Sequence, residues 1–140
     1  MVIMSADLGL ARTGVAVSDS GESFAFPKTV ITEYNTDRLI EKLCVLAQET
    51  QAQLVVMGLP KNMDGTEGER AQKCREIAAK FQEKSGIETV LWDERCTTVT
   101  AHNILSMNDK RGKKRKETVD AVAAVIILEN YLSARKNEVR

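Results

Sequence analysis

Three carboxylates stand where the surrounding sequence least favours them. Asp7 interrupts the apolar run that starts at Val2, Glu94 follows Asp93 just after the apolar run Thr89-Val90-Leu91-Trp92, and Asp120 lies early in the last amphipathic segment. A carboxylate in a core strand is costly unless it is paired, protonated or bound to a cation. No Lys or Arg lies in the run around Asp7. Residues three, four and seven places after Asp120 are Ala123, Ala124 and Ile127, so on a helix Asp120 shares the apolar stripe. Asp93 and Glu94 are neighbours, and on a strand they point to opposite sides. One of them can join the other two acids; the reading favours Glu94 and leaves Asp93 a supporting or structural place.

Each acid has an ordinary explanation when taken alone. Asp7 could be a turn or cap residue, and Glu94 could pair with Arg95. Asp120 could stabilise a helix N-terminus by ~0.3–1 kcal/mol. Together they make an oxygen-only donor set. Carboxylates held close raise each other's pKa unless a cation neutralises them, and oxygen donors select hard ions such as Mg²⁺ or Mn²⁺. Two such ions ~3.5–4 Å apart activate a water and stabilise the leaving oxygen in phosphodiester hydrolysis. A single histidine, His102, and the scattered Cys44, Cys74 and Cys96 fit neither a catalytic zinc nor a Ser/His/Asp triad. His102 is read as structural.

The elements that must position these acids follow from the pattern. Val2 to Gly9 and Gly14 to Asp19 read as a β-hairpin with a glycine-flanked turn holding Arg12. Phe24 to Thr32 reads as a third strand, placed at an edge by Pro27 or beginning after it. Asn35 or Thr36 caps a helix with Leu39, Ile40, Leu43, Cys44 and Ala47 on one face. Leu54 to Gly58 is continuously apolar, which suits a strand buried on both faces. A polar loop from Leu59 to Gly68 leads to a helix from about Glu69 to Lys84, with Ala71, Cys74, Ile77, Ala78 and Phe81 inward and Gly86 at its end. Thr89 to Trp92 is the last strand. Thr97 or Thr98 caps a shorter helix through Leu105, and Glu117 to about Lys136 is a long one. The order β-β-β-α-β-α-β-α-α predicts a mixed five-stranded sheet flanked by helices: an antiparallel meander, then parallel strands joined by right-handed crossovers.

At 140 residues and 43% hydrophobic, the chain has the size of one domain with a real core, residues 1–140. No apolar run approaches a membrane span and no signal-peptide pattern opens the chain, which predicts a cytoplasmic protein with no membrane partner. Net charge is zero, yet the block from Lys110 to Lys116 carries six positive charges in seven residues. That block reads as a mobile loop, either merely solvated or a phosphate-binding arm.

Four motifs in order resemble the YqgF/RuvX family. They are Asp7-Leu8-Gly9-Leu10-Ala11-Arg12-Thr13-Gly14, the loop Gly58 to Gly68, Asp93-Glu94-Arg95-Cys96-Thr97-Thr98, and Lys116-Glu117-Thr118-Val119-Asp120 with the helix that follows. The resemblance covers essentially the whole chain. It implies an RNase H-like fold and metal-dependent nuclease chemistry with two Mg²⁺ or Mn²⁺ ions, Asp7, Glu94 and Asp120 being catalytic acids and metal ligands. Family members are described as nucleases trimming the 5′ end of the 16S ribosomal RNA precursor and as Holliday junction resolvases. Pre-rRNA is the favoured substrate over branched DNA, with the protein a monomer or a homodimer. Arg12, Lys61, Asn62, Arg95, Lys113, Lys114 and Arg115 are the candidate substrate contacts. Gly9, Gly58 and Gly65 are read as conformational.

Two other classes compete. Asp7-Leu8-Gly9 with Gly14 also resembles the first phosphate loop of actin-like ATPases and sugar kinases, but those need two such domains, and the acids at 93 and 94 stay unexplained. A non-catalytic nucleic-acid-binding module would not need the acids at all.

Overall fold

The apolar runs at the start of the chain become β1 (Ile3–Leu8), β2 (Arg12–Ser18) and β3 (Ala25–Thr32). They are followed by α1 (Thr36–Thr50), β4 (Leu54–Leu59), α2 (Glu69–Ser85), β5 (Glu88–Asp93) and α3 (Gly112–Val139). The computed structural model describes residues 1–9, 11–62, 64–93 and 112–139, with residues 112–121 and 137–139 described by their backbone. The helix expected between Thr97 and Leu105 lies outside the described residues.

Five strands form one sheet in the order β3-β2-β1-β4-β5. β1 pairs antiparallel with β2, and β2 with β3, while β1, β4 and β5 run parallel. This is the predicted mixed sheet. β3 is indeed at an edge, where the N–H that Pro27 lacks costs little. Its register with β2 shifts between Val15 and Ala16, and Pro27 lies opposite Ala16.

Side chains of β4 alternate between two cores, as continuous apolarity predicts. Val55, Met57 and Leu59 join α1 and α2 on one face of the sheet. Leu54 and Val56 join Ala124, Ile127, Leu128 and Leu132 of α3 on the other. β1 divides in the same way, with Met4, Ala6 and Leu8 toward α1 and α2 and Ile3 toward α3. Trp92 belongs to the α3 side, edge-on to Tyr131 with ring centroids 5.6 Å apart.

The helix ends obey their local chemistry. The Asn35 side chain accepts from the Arg38 N–H at 3.0 Å and caps α1. Gly86 ends α2 at φ 72°, a backbone that glycine adopts without a Cβ clash. The five residues expected to face inward on α2 are all buried.

α3 corrects the sequence reading. Its backbone is helical from Gly112, so Lys113, Lys114, Arg115 and Lys116 belong to the helix and not to a mobile loop. Lys and Arg are good helix formers. Like charges a turn apart cost only ~0.2–0.5 kcal/mol per pair, too little to stop a helix anchored further along by a buried face. Among the described residues no helix is long and apolar enough to cross a membrane.

A charge cluster ties α3 to the start of the sheet. Glu22 accepts from Arg135 Nε at 2.7 Å and pairs with the N-terminal ammonium at 3.3 Å. The Arg135 hydrogen bond, ahead of the N-terminal one, holds the Glu22 carboxyl below its ordinary value. A carboxylate lowered by folding stabilises the fold above its unfolded pKa and loses that contribution as pH falls through the folded one. Glu22→Gln is therefore expected to lose ~0.5–1 kcal/mol at pH 7, a partly exposed pair being screened by solvent. The deficit should shrink below about pH 4, as the wild-type carboxyl protonates. Urea unfolding at pH 7 and pH 3 checks this; a pH-independent difference would contradict the ion pair.

Candidate active site

Asp7 is the penultimate residue of β1, at the edge where β1, β4 and β5 all end. It is half-buried, not enclosed in the core, so its charge costs less than a fully buried one would. Directly across the hairpin is Gly14, which brings no side chain against it. Among the described residues no side chain or backbone N–H is hydrogen-bonded to the Asp7 carboxylate, and no Lys or Arg pairs with it. The sequence asked for a partner or a cation, and the described protein supplies no partner.

The register of α3 against β1 sets the height of position 120 relative to Asp7. Ser5 is buried and its hydroxyl donates to the Ala124 carbonyl at 2.7 Å. The Glu22–Arg135 pair fixes the helix direction, since Arg135 lies toward the start of β1. From the Ser5–Ala124 contact, Asp7 is two residues along the strand, ~6.6 Å. Position 120 is four residues back along the helix, ~6 Å in the same direction. Ser5 and Asp7 share the face that α3 covers. By this estimate the backbone of α3 at position 120 lies level with the end of β1 that carries Asp7.

β5 ends at Asp93, opposite Leu59 of β4. Glu94 and Arg95 lie outside the described residues. Among the described residues no group of three His, Cys, Asp or Glu side chains could hold a metal ion. Asp7 itself, a half-buried carboxylate with a glycine opposite it, is an oxygen donor of the kind hard divalent cations select.

The turn next to Asp7 is tight. The Gly9 N–H donates to the Arg12 carbonyl at 3.0 Å, and Arg12 is the first residue of β2, half-buried beside the sheet edge. The loop after β4 is internally braced. The Asn62 side-chain amide donates to the Thr66 hydroxyl at 2.9 Å, and Thr66 donates to Asp64 at 2.6 Å. Gly65 takes φ 89° in that turn, as a conformational glycine should. Asn62 is therefore engaged in holding its loop, while Lys61 is half-buried at its base. Glu67 closes the loop onto α2 through Arg75, at 2.6 and 2.7 Å, and that hydrogen bonding keeps its carboxyl low.

Sequence reasoning missed Arg70. Its guanidinium, from the first turn of α2, donates to the Leu8 carbonyl at 3.3 Å, one residue from Asp7. In sequence it is one exposed charge among several on α2. Only the packing of α2 against the end of β1 gives it this position.

A family model described as RuvX, Holliday junction resolvase, matches residues 1–134. The chain belongs to the RuvX family. A relative from Thermoanaerobacter pseudethanolicus, provisionally named a pre-16S rRNA nuclease, is 39% identical over 99% of this chain and 100% of its own. One from Lactococcus lactis subsp. cremoris, with the same provisional name, is 40% identical over 94% of each chain. Among solved structures, Thermus thermophilus RuvC in complex with a Holliday junction substrate superposes with TM-score 0.64 at 12% identity, covering 98% of this chain and 96% of that one. The Fowlpox virus resolvase bound to Holliday junction DNA gives 0.58 at 11%, covering 96% and 99%. These likenesses carry the fold, which is RNase H-like as expected. Membership of the RuvX family makes the chain a nuclease, a hydrolase of phosphodiester bonds.

Proposed function

We propose that this RuvX protein is a metal-dependent nuclease of one domain, residues 1–140, that matures the 5′ end of the 16S ribosomal RNA precursor in the cytoplasm. Its catalytic acids are Asp7, Glu94 and Asp120. The observation that carries the reading is the half-buried Asp7 carboxylate at the edge of the sheet, without a hydrogen-bond or ion-pair partner among the described residues; the Ser5–Ala124 contact supports setting position 120 of α3 level with it.

Asp7, Glu94 and Asp120 would hold two Mg²⁺ or Mn²⁺ ions, which when bound lower the pKa of water and offset charge on the leaving oxygen. The chain's own residues do the rest. The hairpin fixes Asp7 by its pairing with β2, and Ser5 fixes the height of α3. Arg12 and Arg95 flank the acids in sequence and would hold the phosphates on either side of the cut. Lys61, on the loop braced by Asn62, would contact the strand along the groove. Lys113, Lys114 and Arg115, in the first turns of α3, would neutralise phosphates further out and make binding salt-dependent.

The provisional names of the relatives favour ribosomal RNA. The alternative substrate is a four-way DNA junction, after the family description and the junction-bound neighbours. Resolving a symmetrical junction would call for a homodimer with two sites related by a two-fold axis, whereas trimming one RNA strand needs one site.

The test compares Mn²⁺-dependent cleavage of a 16S precursor leader transcript, a four-way DNA junction and a plain DNA duplex. The leader should be cut at least tenfold faster than either DNA. Faster cleavage of the junction would reassign the substrate, and no cleavage of any would remove the proposal.

A further inference from the structure

Behind the turn at Gly9, on the face of the sheet away from Asp7, a cavity of about 200 Å³ opens between α1, α2 and the end of β1. Its floor is apolar, built from Leu8, Leu39 and Ile77, all buried. Its rim carries Tyr34, 81% exposed, together with Arg70 and Lys73. An apolar floor, an aromatic ring free to stack and two cations match one class of ligand, a nucleotide: a flat base joined to an anionic phosphate.

We infer that this cavity receives one unpaired nucleotide of the substrate strand, adjacent to the phosphate that is cut at Asp7. The inference rests on the nuclease reading above and adds a demand for single-stranded character next to the cut. Successive strand residues face opposite ways, so Asp7 and Leu8 put the acid and the cavity on the two sides of a single strand end. A nucleic-acid strand crossing that edge meets Asp7 with a phosphate and the cavity with the neighbouring base. Arg70, on the cavity rim, is hydrogen-bonded to the carbonyl of Leu8, the residue after Asp7. A base still paired in a duplex cannot enter, because its face is already stacked.

The acids on the rim are accounted for. Glu33 is paired with Lys42 at 2.9 Å and accepts from the Asn35 N–H, so its charge is offset before any ligand arrives. Glu69 also lines the cavity, and its carboxylate suits the exocyclic amino group of a base better than a phosphate.

Tyr34→Ala and Tyr34→Phe test this, since so exposed a side chain can be removed without disturbing the core. Binding is measured without metal, so that no strand is cut, to a single-stranded oligoribonucleotide carrying 2-aminopurine and to a plain duplex. Tyr34→Ala should bind the single strand about tenfold more weakly, the lower part of what one base–aromatic stack is worth. It should also lose the quenching of 2-aminopurine. Tyr34→Phe should keep both, and duplex binding should be unchanged in all three proteins. Equal single-strand affinity in Tyr34→Ala, an equal loss on the duplex, or no single-strand binding by the wild type would each overturn the inference. Cleavage plays no part in this readout. A failure of the nuclease reading, seen as an Asp7→Asn protein that cuts like the wild type, is therefore distinguished from a failure of the cavity assignment.

Discussion

Replacing Asp7 by Asn should leave a folded protein that binds nucleic acid and cuts it on the order of 10²–10³-fold more slowly, the effect of removing one preorganised charge from a reacting centre. Asn keeps the shape of the side chain and removes its charge. Nothing in the described structure depends on that charge: the carboxylate has no hydrogen-bond or ion-pair partner there and faces Gly14 across the hairpin. An unpartnered, half-buried carboxylate does not stabilise a fold, so the melting temperature should stay the same or rise slightly. Two measurements separate function from stability. Initial rates in Mn²⁺ report the chemistry, and metal-free gel shifts with thermal melts report binding and folding. Cleavage at the wild-type rate would remove Asp7 from the site. A large fall in melting temperature would instead make Asp7 a structural residue with a partner.

Most of the fold was legible because its signals are local. The continuous apolar run of β4 meant burial on both faces, and its residues alternate between the two cores. The spacing of Ala71, Cys74, Ile77, Ala78 and Phe81 was enough to place the inner face of α2. Pro27 marked the edge strand. The start of α3 was misread, since a charge block reads as a loop only when the helix beyond it is ignored. At the site, Asp7 was legible as a charge in the wrong surroundings, and the residues after Asp120 as a buried stripe. The height of α3 against β1 was not. It is set by the buried Ser5–Ala124 contact between residues 119 apart in sequence, which leaves no periodic trace. Arg70 and Tyr34 stayed hidden for the same reason. Arg70 is an ordinary exposed residue of α2 and Tyr34 one of the link between β3 and α1, and only the meeting of α1, α2 and the end of β1 puts both around one cavity.

Gly9→Ala is expected to be the most damaging single-methyl change near the site. A Cβ at Gly9 would stand 2.4 Å from the Arg12 carbonyl oxygen. That atom is backbone, fixed by the Gly9–Arg12 hydrogen bond and by the pairing of Leu8 with Thr13 and of Asp7 with Gly14. The hairpin must therefore open to admit the methyl group. Forcing a methyl group into occupied space costs ~1–3 kcal/mol, which for a domain of this size lowers the melting temperature by several degrees. The effect on catalysis should be larger than the effect on stability. Opening the turn displaces the end of β1, and a shift of ~1 Å in a reacting group can cost ~10²-fold in rate. Gly68→Ala is the matched control. Its added Cβ meets nothing within 4 Å, and as the N-cap of α2 it should lose less than about 1 kcal/mol. Thermal melts and Mn²⁺-dependent rates on the two variants decide the matter. A Gly9→Ala protein that melts and cleaves like Gly68→Ala would show that the turn relaxes freely, and that Asp7 does not depend on it for position.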